Sequence, residues 1–113
     1  MFLSLFWSIQ CIFGMIVLRG NNMDDKYVKL YEAFLKCDTE EEIRFFLEDV
    51  CTYNEIDAMA DRFWVAELLA QGYTYEQIEK LTTISSATIS RVNRCLIKGS
   101  GGYRNILAKT VNK

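Results

Sequence analysis

Three times along this chain a threonine is followed at the third position by glutamate or glutamine: Thr39-Glu40-Glu41-Glu42, Thr52-Tyr53-Asn54-Glu55 and Thr74-Tyr75-Glu76-Gln77. In such a capping box the hydroxyl and the acidic or amide side chain satisfy backbone N–H groups that the first turn leaves unpaired, so each marks a helix start. No proline occurs anywhere in the 113 residues, and helices can therefore run unbroken. A chain of this length allows one small domain and does not favour two independently cored ones, and these signals predict an all-α fold.

The helices can be laid out from these starts. Residues 24–37 open with two acids and place Tyr27, Leu30, Tyr31, Phe34 and Leu35 at the spacing of one buried face. The Thr39 box predicts a helix to about Val50, with the run Glu40 to Glu42 matching the helix dipole rather than forming a metal site. The Thr52 box opens a longer helix, in which Ile56, Met59, Ala60, Phe63, Ala66 or Glu67, and Ala70 recur before Gly72. The Thr74 box starts the short segment YEQIEKLT, with Ile78 and Leu81 facing a core. Thr83-Ile84-Ser85 reads as a turn. Ser86 can cap the next helix, ATISRVNRCLIK, which ends at Lys98 with Gly99 as a left-handed cap. Gly99-Ser100-Gly101-Gly102 is a flexible joint, and Tyr103 onward begins a last short helix.

The formal net charge of −2 conceals a division. Residues 23–79 carry all fifteen acidic side chains against five basic ones, a local net of −10. Residues 80–113 carry Lys80, Arg91, Arg94, Lys98, Arg104, Lys109 and Lys113 against no acid, a local net of +7. A basic segment of this kind suits a polyanionic partner. The chain contains no histidine, which excludes Ser-His and Cys-His nucleophile pairs and the usual histidine-rich zinc sites. Cys11, Cys37, Cys51 and Cys95 have neither paired nor metal-like spacing and read as small buried hydrophobes. No triad, metal site or phosphate loop is present, so no catalytic residue is assigned and an enzyme is not expected.

Residues 1–22 have a different character. The first eighteen, MFLSLFWSIQCIFGMIVL, contain no charge and are just long enough to cross a bilayer. They lack the basic start and small-residue cleavage site of a secretory signal. Arg19-Gly20 can be encoded by a purine-rich ribosome-binding sequence at a suitable distance before Met23. The favoured reading is that residues 1–22 are translated upstream DNA and that the domain is 23–113; the alternative is a membrane anchor, and a membrane partner depends on residues 1–18 alone. Intact-mass measurement of the native protein should show a chain that begins at Met23, and a chain that begins at Met1 would overturn the reading.

Two short helices joined by a tight turn, the second of them basic, have the form of a helix-turn-helix. At about 100° per residue, Ile89, Val92 and Leu96 fall on one face of the second helix and Ala87, Ser90, Arg91, Arg94 and Lys98 on the opposite one. Small residues allow close approach to base edges in a major groove, and the cations reach phosphates or guanine. Ser86, Ala87 and Ser90 are the candidate base readers, with Thr88, Arg91 and Arg94 nearby and Lys98 and Arg104 adding charge for the DNA backbone.

The stretch from about Asn54 to Leu107, in particular LLAQGYTYEQIEKL followed by SATISRVNR, resembles the tryptophan-repressor-like superfamily, and most closely its YerC/YecD subgroup of small bacterial regulators. The resemblance implies about six helices, an intertwined homodimer built by the N-terminal helices, and two helix-turn-helix units on a palindromic operator of double-stranded DNA. It also implies a cytoplasmic, nucleoid-associated regulator, with repression as the expected sign.

By the same resemblance, Arg62 and Arg91 match the two arginines that flank the corepressor's indole, and Thr52 matches a threonine near its amino-acid end. Val92 stands where the family has a glycine lining the indole site, and Cys95 where it has a serine that helps hold the amino group. A branched side chain in the cavity and a weaker hydrogen-bonding thiol argue against L-tryptophan as a cofactor. Without the resemblance, Arg62 fits a surface ion pair with Asp57 or Asp61 equally well, while Phe63 and Trp64 suit a core or a dimer interface. A helical protein-interaction module that uses its aromatic first helices is the competing function.

Overall fold

The computed structural model describes residues 23–111, in which every regular element is a helix. In chain order these are α1 (Met23–Leu35), α2 (Glu40–Val50), α3 (Tyr53–Ala70), α4 (Tyr75–Thr82), α5 (Ser86–Lys98) and α6 (Gly102–Val111). The readings of residues 1–22 lie outside the described residues. The chain divides within α2 into two compact units, one ending at Phe45 and the other beginning at Phe46.

In the first unit, α1 ends two residues earlier than its periodicity suggests, and Cys37 sits in the following turn with its thiol donating to the Ala33 carbonyl oxygen at 3.6 Å. The expected buried face is corrected: Tyr27, Tyr31 and Leu35 are exposed at 48, 60 and 83%, whereas Leu30 is half-buried. Periodicity identifies an apolar stripe but supplies nothing to cover it. At the start of α2 the Glu42 amide donates to Thr39 Oγ1 at 3.1 Å, while the Glu42 carboxylate accepts from Asp38 N at 2.6 Å, one residue further back than in a standard capping box.

In the second unit, α3 starts with the reciprocal pair that the sequence predicts. The Glu55 amide donates to Thr52 Oγ1 at 3.2 Å, and the Thr52 amide donates to Glu55 Oε1 at 2.9 Å. The backbone and hydroxyl contacts of Thr52 hold the Glu55 carboxyl below its ordinary value of 4.5. The charged form is thus favoured in the folded state, so this cap stabilises at neutral pH and its contribution is lost as pH falls from about 4.5 through the lower folded value. A Glu55→Gln variant should keep the neutral-pH fold, as Gln77 does for α4, while losing that acid-side dependence in a pH series of thermal melts. A parallel dependence in the variant and the wild type would contradict this.

α3 closes through Gly72, which takes φ +94°. Tyr73 N donates to Leu68 O at 3.1 Å and Gly72 N to Leu69 O at 3.0 Å, the paired bonds of a Schellman motif. The core joins Val65, Ala66 and Leu68 of α3, Ile78 of α4, and Ile89 and Val92 of α5, with Leu69, Ile84, Leu96, Tyr103 and Leu107 packed around them. The buried sector of α3 differs from the expected one: Met59 is 41% exposed, and Ala60 and Ala70 are exposed. α3 is apolar on more than one side, and the docking of α4, α5 and α6 selects which side is buried.

Candidate nucleic-acid interface

The α4 start repeats the capping box: Gln77 N donates to Thr74 Oγ1 at 3.2 Å and Thr74 N to Gln77 Oε1 at 2.9 Å. Ile78 is fully buried, but Leu81 is 54% exposed, so it is not the second anchor. Thr82 takes that place. Its hydroxyl donates to Ile78 O at 2.7 Å and accepts from Ile84 N at 3.1 Å, which ties the end of α4 to the turn 83–85. Thr83 adopts φ +60°, a left-handed conformation that is uncommon for a β-branched residue, and this reverses the chain into α5.

The cap of α5 is Ser85, not Ser86. Its hydroxyl accepts from Thr88 N at 3.3 Å and lies 3.1 Å from Thr88 Oγ1. Ser86 is therefore the first residue of the helix. At the other end Gly99 has φ −79° and ψ −170°, an extended rather than left-handed cap. Its lack of a Cβ still matters, because a methyl there would collide with the Cys95 carbonyl oxygen. The left-handed joint residue is Gly101, at φ +93°.

With its ends held in this way, α5 is sharply two-sided. Ile89 and Val92 are 0 and 1% exposed and Leu96 is half-buried against the core. Ser86, Ala87, Arg91, Arg94 and Lys98 are exposed, and Thr88 and Ser90 half-buried. Arg104 is exposed on α6. A groove of about 370 Å³ is lined by Arg91, Arg94, Cys95, Lys98 and Gly99, three cations with no acid among them. Lys80 lies 3.6 Å from Glu76 across one turn of α4. Among the described residues Arg91, Arg94, Lys98 and Arg104 make no ion pair, and all four are exposed.

The residues suggested for an effector pocket stand in different settings. The Thr52 hydroxyl is engaged in the α3 cap, Arg62 is half-buried on α3 without an ion pair to Asp57 or Asp61, and Val92 is in the core. Arg91 and Cys95 share the cationic groove. Cys95 is exposed, a correction to its reading as a buried hydrophobe, while Cys37 and Cys51 are half-buried free thiols and Cys11 lies outside the described residues. Cys95 also lines an apolar cleft of about 440 Å³ with Phe63, Gly99, Ser100, Gly102, Tyr103 and Ile106. The helical wheel of α5 alone did not reveal this cleft, because Phe63 and Tyr103 come from α3 and α6. Trp64 is 42% exposed and so does not belong to the core.

Comparison with known proteins bears on this geometry. Residues 25–111 match the family model described as Trp repressor protein. The uncharacterized protein YerC of Bacillus subtilis is 43% identical over 90 residues, which span 80% of this chain and 83% of YerC. A TrpR-like protein of Eubacterium eligens has a similar solved structure, with a TM-score of 0.73 and 39% identity over 82% of this chain and 92% of the other. A Staphylococcus aureus protein named after the Trp repressor gives 0.72 and 39%, covering 88% and 95%.

Proposed function

The chain belongs to the Trp repressor protein family, a family of DNA-binding regulators rather than enzymes, and from this premise we propose that it is a sequence-specific transcriptional repressor that binds a palindromic operator as a homodimer. In this reading α4 and α5 are the helix-turn-helix and α5 enters the major groove. The observation that carries it is the outward face of α5, where small residues at the N-terminal end give way to Arg91, Arg94 and Lys98 around a groove with no acid. Ser86, Ala87 and Ser90 would meet base edges, with Thr88, Arg91 and Arg94 beside them and Lys98 and Arg104 at the backbone.

A gel-shift experiment against genomic fragments tests this. A subset of fragments should be retained at physiological salt, and retention of none would count for the interaction-module alternative. The exposed aromatic face of α1, with Tyr27 and Tyr31, supports the homodimer, since a second copy would remove it from water. Sedimentation should return twice the chain mass. A cytoplasmic, nucleoid-associated location follows from the same reading; among the described residues no helix is long and apolar enough to cross a membrane.

DNA binding in this reading does not depend on L-tryptophan. Val92 at 1% exposure fills volume within the core, the Thr52 hydroxyl is already engaged, and neither hollow described above is lined by Thr52, Arg62 or Val92. Titration calorimetry with L-tryptophan should show no saturable heat. Stoichiometric binding would overturn this part of the proposal and restore Thr52, Arg62, Arg91 and Cys95 as candidate ligand contacts.

A further inference from the structure

We propose that α5 reads a thymine through the methyl group of Ala87 and, one helical turn further on, a guanine through the guanidinium of Arg91. Each operator half-site then carries a T·A pair and a G·C pair about two base pairs apart. The inference rests on the DNA-binding reading above and adds the chemistry of the sequence that is bound.

Few groups on α5 are free to meet a base. Ser85 and Thr88 are engaged with each other, through Thr88 N to Ser85 Oγ and the hydroxyl pair at 3.1 Å. Ala87, the second residue of α5, is exposed, and its neighbours on that face are Ser86 and Ser90, too short to hold the helix away from a groove floor. Arg91 follows one turn later and is also exposed. Four residues advance a helix by about 6 Å, close to two base-pair steps.

Base chemistry then narrows the choice. Adenine is read in the major groove by a side-chain amide and cytosine by a carboxylate. α5 contains no acid and no glutamine, and its one amide side chain, Asn93, is half-buried and lies about 40° from Ile89 on the core side of the wheel. An alanine methyl against the thymine 5-methyl and an arginine fork on guanine O6 and N7 are the direct contacts that remain. Ser86 and Ser90 accept either base type and so select less. Arg94 and Lys98 lie further along the helix around the groove and suit phosphates.

The test starts with the full chain and a random duplex library, from which half-sites holding the T and G at that separation should be enriched. Replacing the selected thymine by uracil removes one methyl group and should weaken wild-type binding roughly fourfold per half-site. Ala87→Gly should bind the thymine and uracil duplexes equally. Arg91→Ala should lose about 5- to 150-fold of the preference for guanine at its position. If the wild type binds selected DNA but ignores the uracil exchange, or Arg91→Ala keeps the guanine preference, this inference fails while the DNA-binding reading stands. If no duplex is retained, both fail.

Discussion

Replacing Ile89 by alanine is expected to destabilise the C-terminal unit by about 2–5 kcal/mol, the cost of an unfilled cavity at a fully buried aliphatic site. Ile89 has no exposed surface and shares the core with Val65, Ile78 and Val92. With Val92, it joins the candidate recognition helix to the rest of the unit. Domains of this size have roughly 5–15 kcal/mol of stability, and about 1 kcal/mol shifts a melting temperature by roughly 4–8 °C. Thermal denaturation followed by circular dichroism should therefore show a fall of about eight degrees or more. Leu81→Ala provides the contrast: Leu81 is 54% exposed, so its truncation should cost well under half as much. Equal losses for the two would mean that Leu81 is a core residue after all and that the packing of α4 described above is wrong.

That contrast shows where the sequence was legible. Helix starts are local events, and the pairs Thr52/Glu55 and Thr74/Gln77 form the bonds that their spacing predicts. The two-sidedness of α5 was also legible, because Ile89 and Val92 alternate with cations at helical spacing and no acid interrupts them. Burial of α3 was legible only at Ala66, since a helix with apolar residues on several sides leaves the choice to its neighbours, and Val65 and Leu68 rather than Met59 and Ala60 joined Ala66 inside. The turn was half legible: its position was right, but its working parts are the Thr82 hydroxyl, which bridges Ile78 O and Ile84 N, and the Ser85 cap. A threonine looks like a solvent-facing residue until the fold buries it. The apolar cleft was invisible for the same reason, being assembled from α3, α5 and α6.

The second large effect concerns charge. An Arg94→Ala/Lys98→Ala double variant should bind DNA about three to four powers of ten more weakly at 0.1 M salt, with the slope of log affinity against log salt flatter by about 3.6. Each protein cation that neutralises a phosphate contributes roughly 0.9 to that slope, and a homodimer on a palindrome presents each side chain twice, giving four lost contacts. Both residues are exposed and line a groove without an acid, so their truncation removes charge without opening the core. Melting behaviour should therefore stay close to wild type, which separates this variant from Ile89→Ala. Arg94→Ala alone should give about half the change in slope. A control at Lys29, exposed on α1 in the acidic part of the chain, should leave the slope unchanged. If the double variant also leaves it unchanged while DNA is still bound, the cations of α5 do not meet phosphates and another surface carries the binding. If the slope falls by half the stated amount, one copy of α5 contacts the duplex and the two-fold arrangement on a palindrome is wrong.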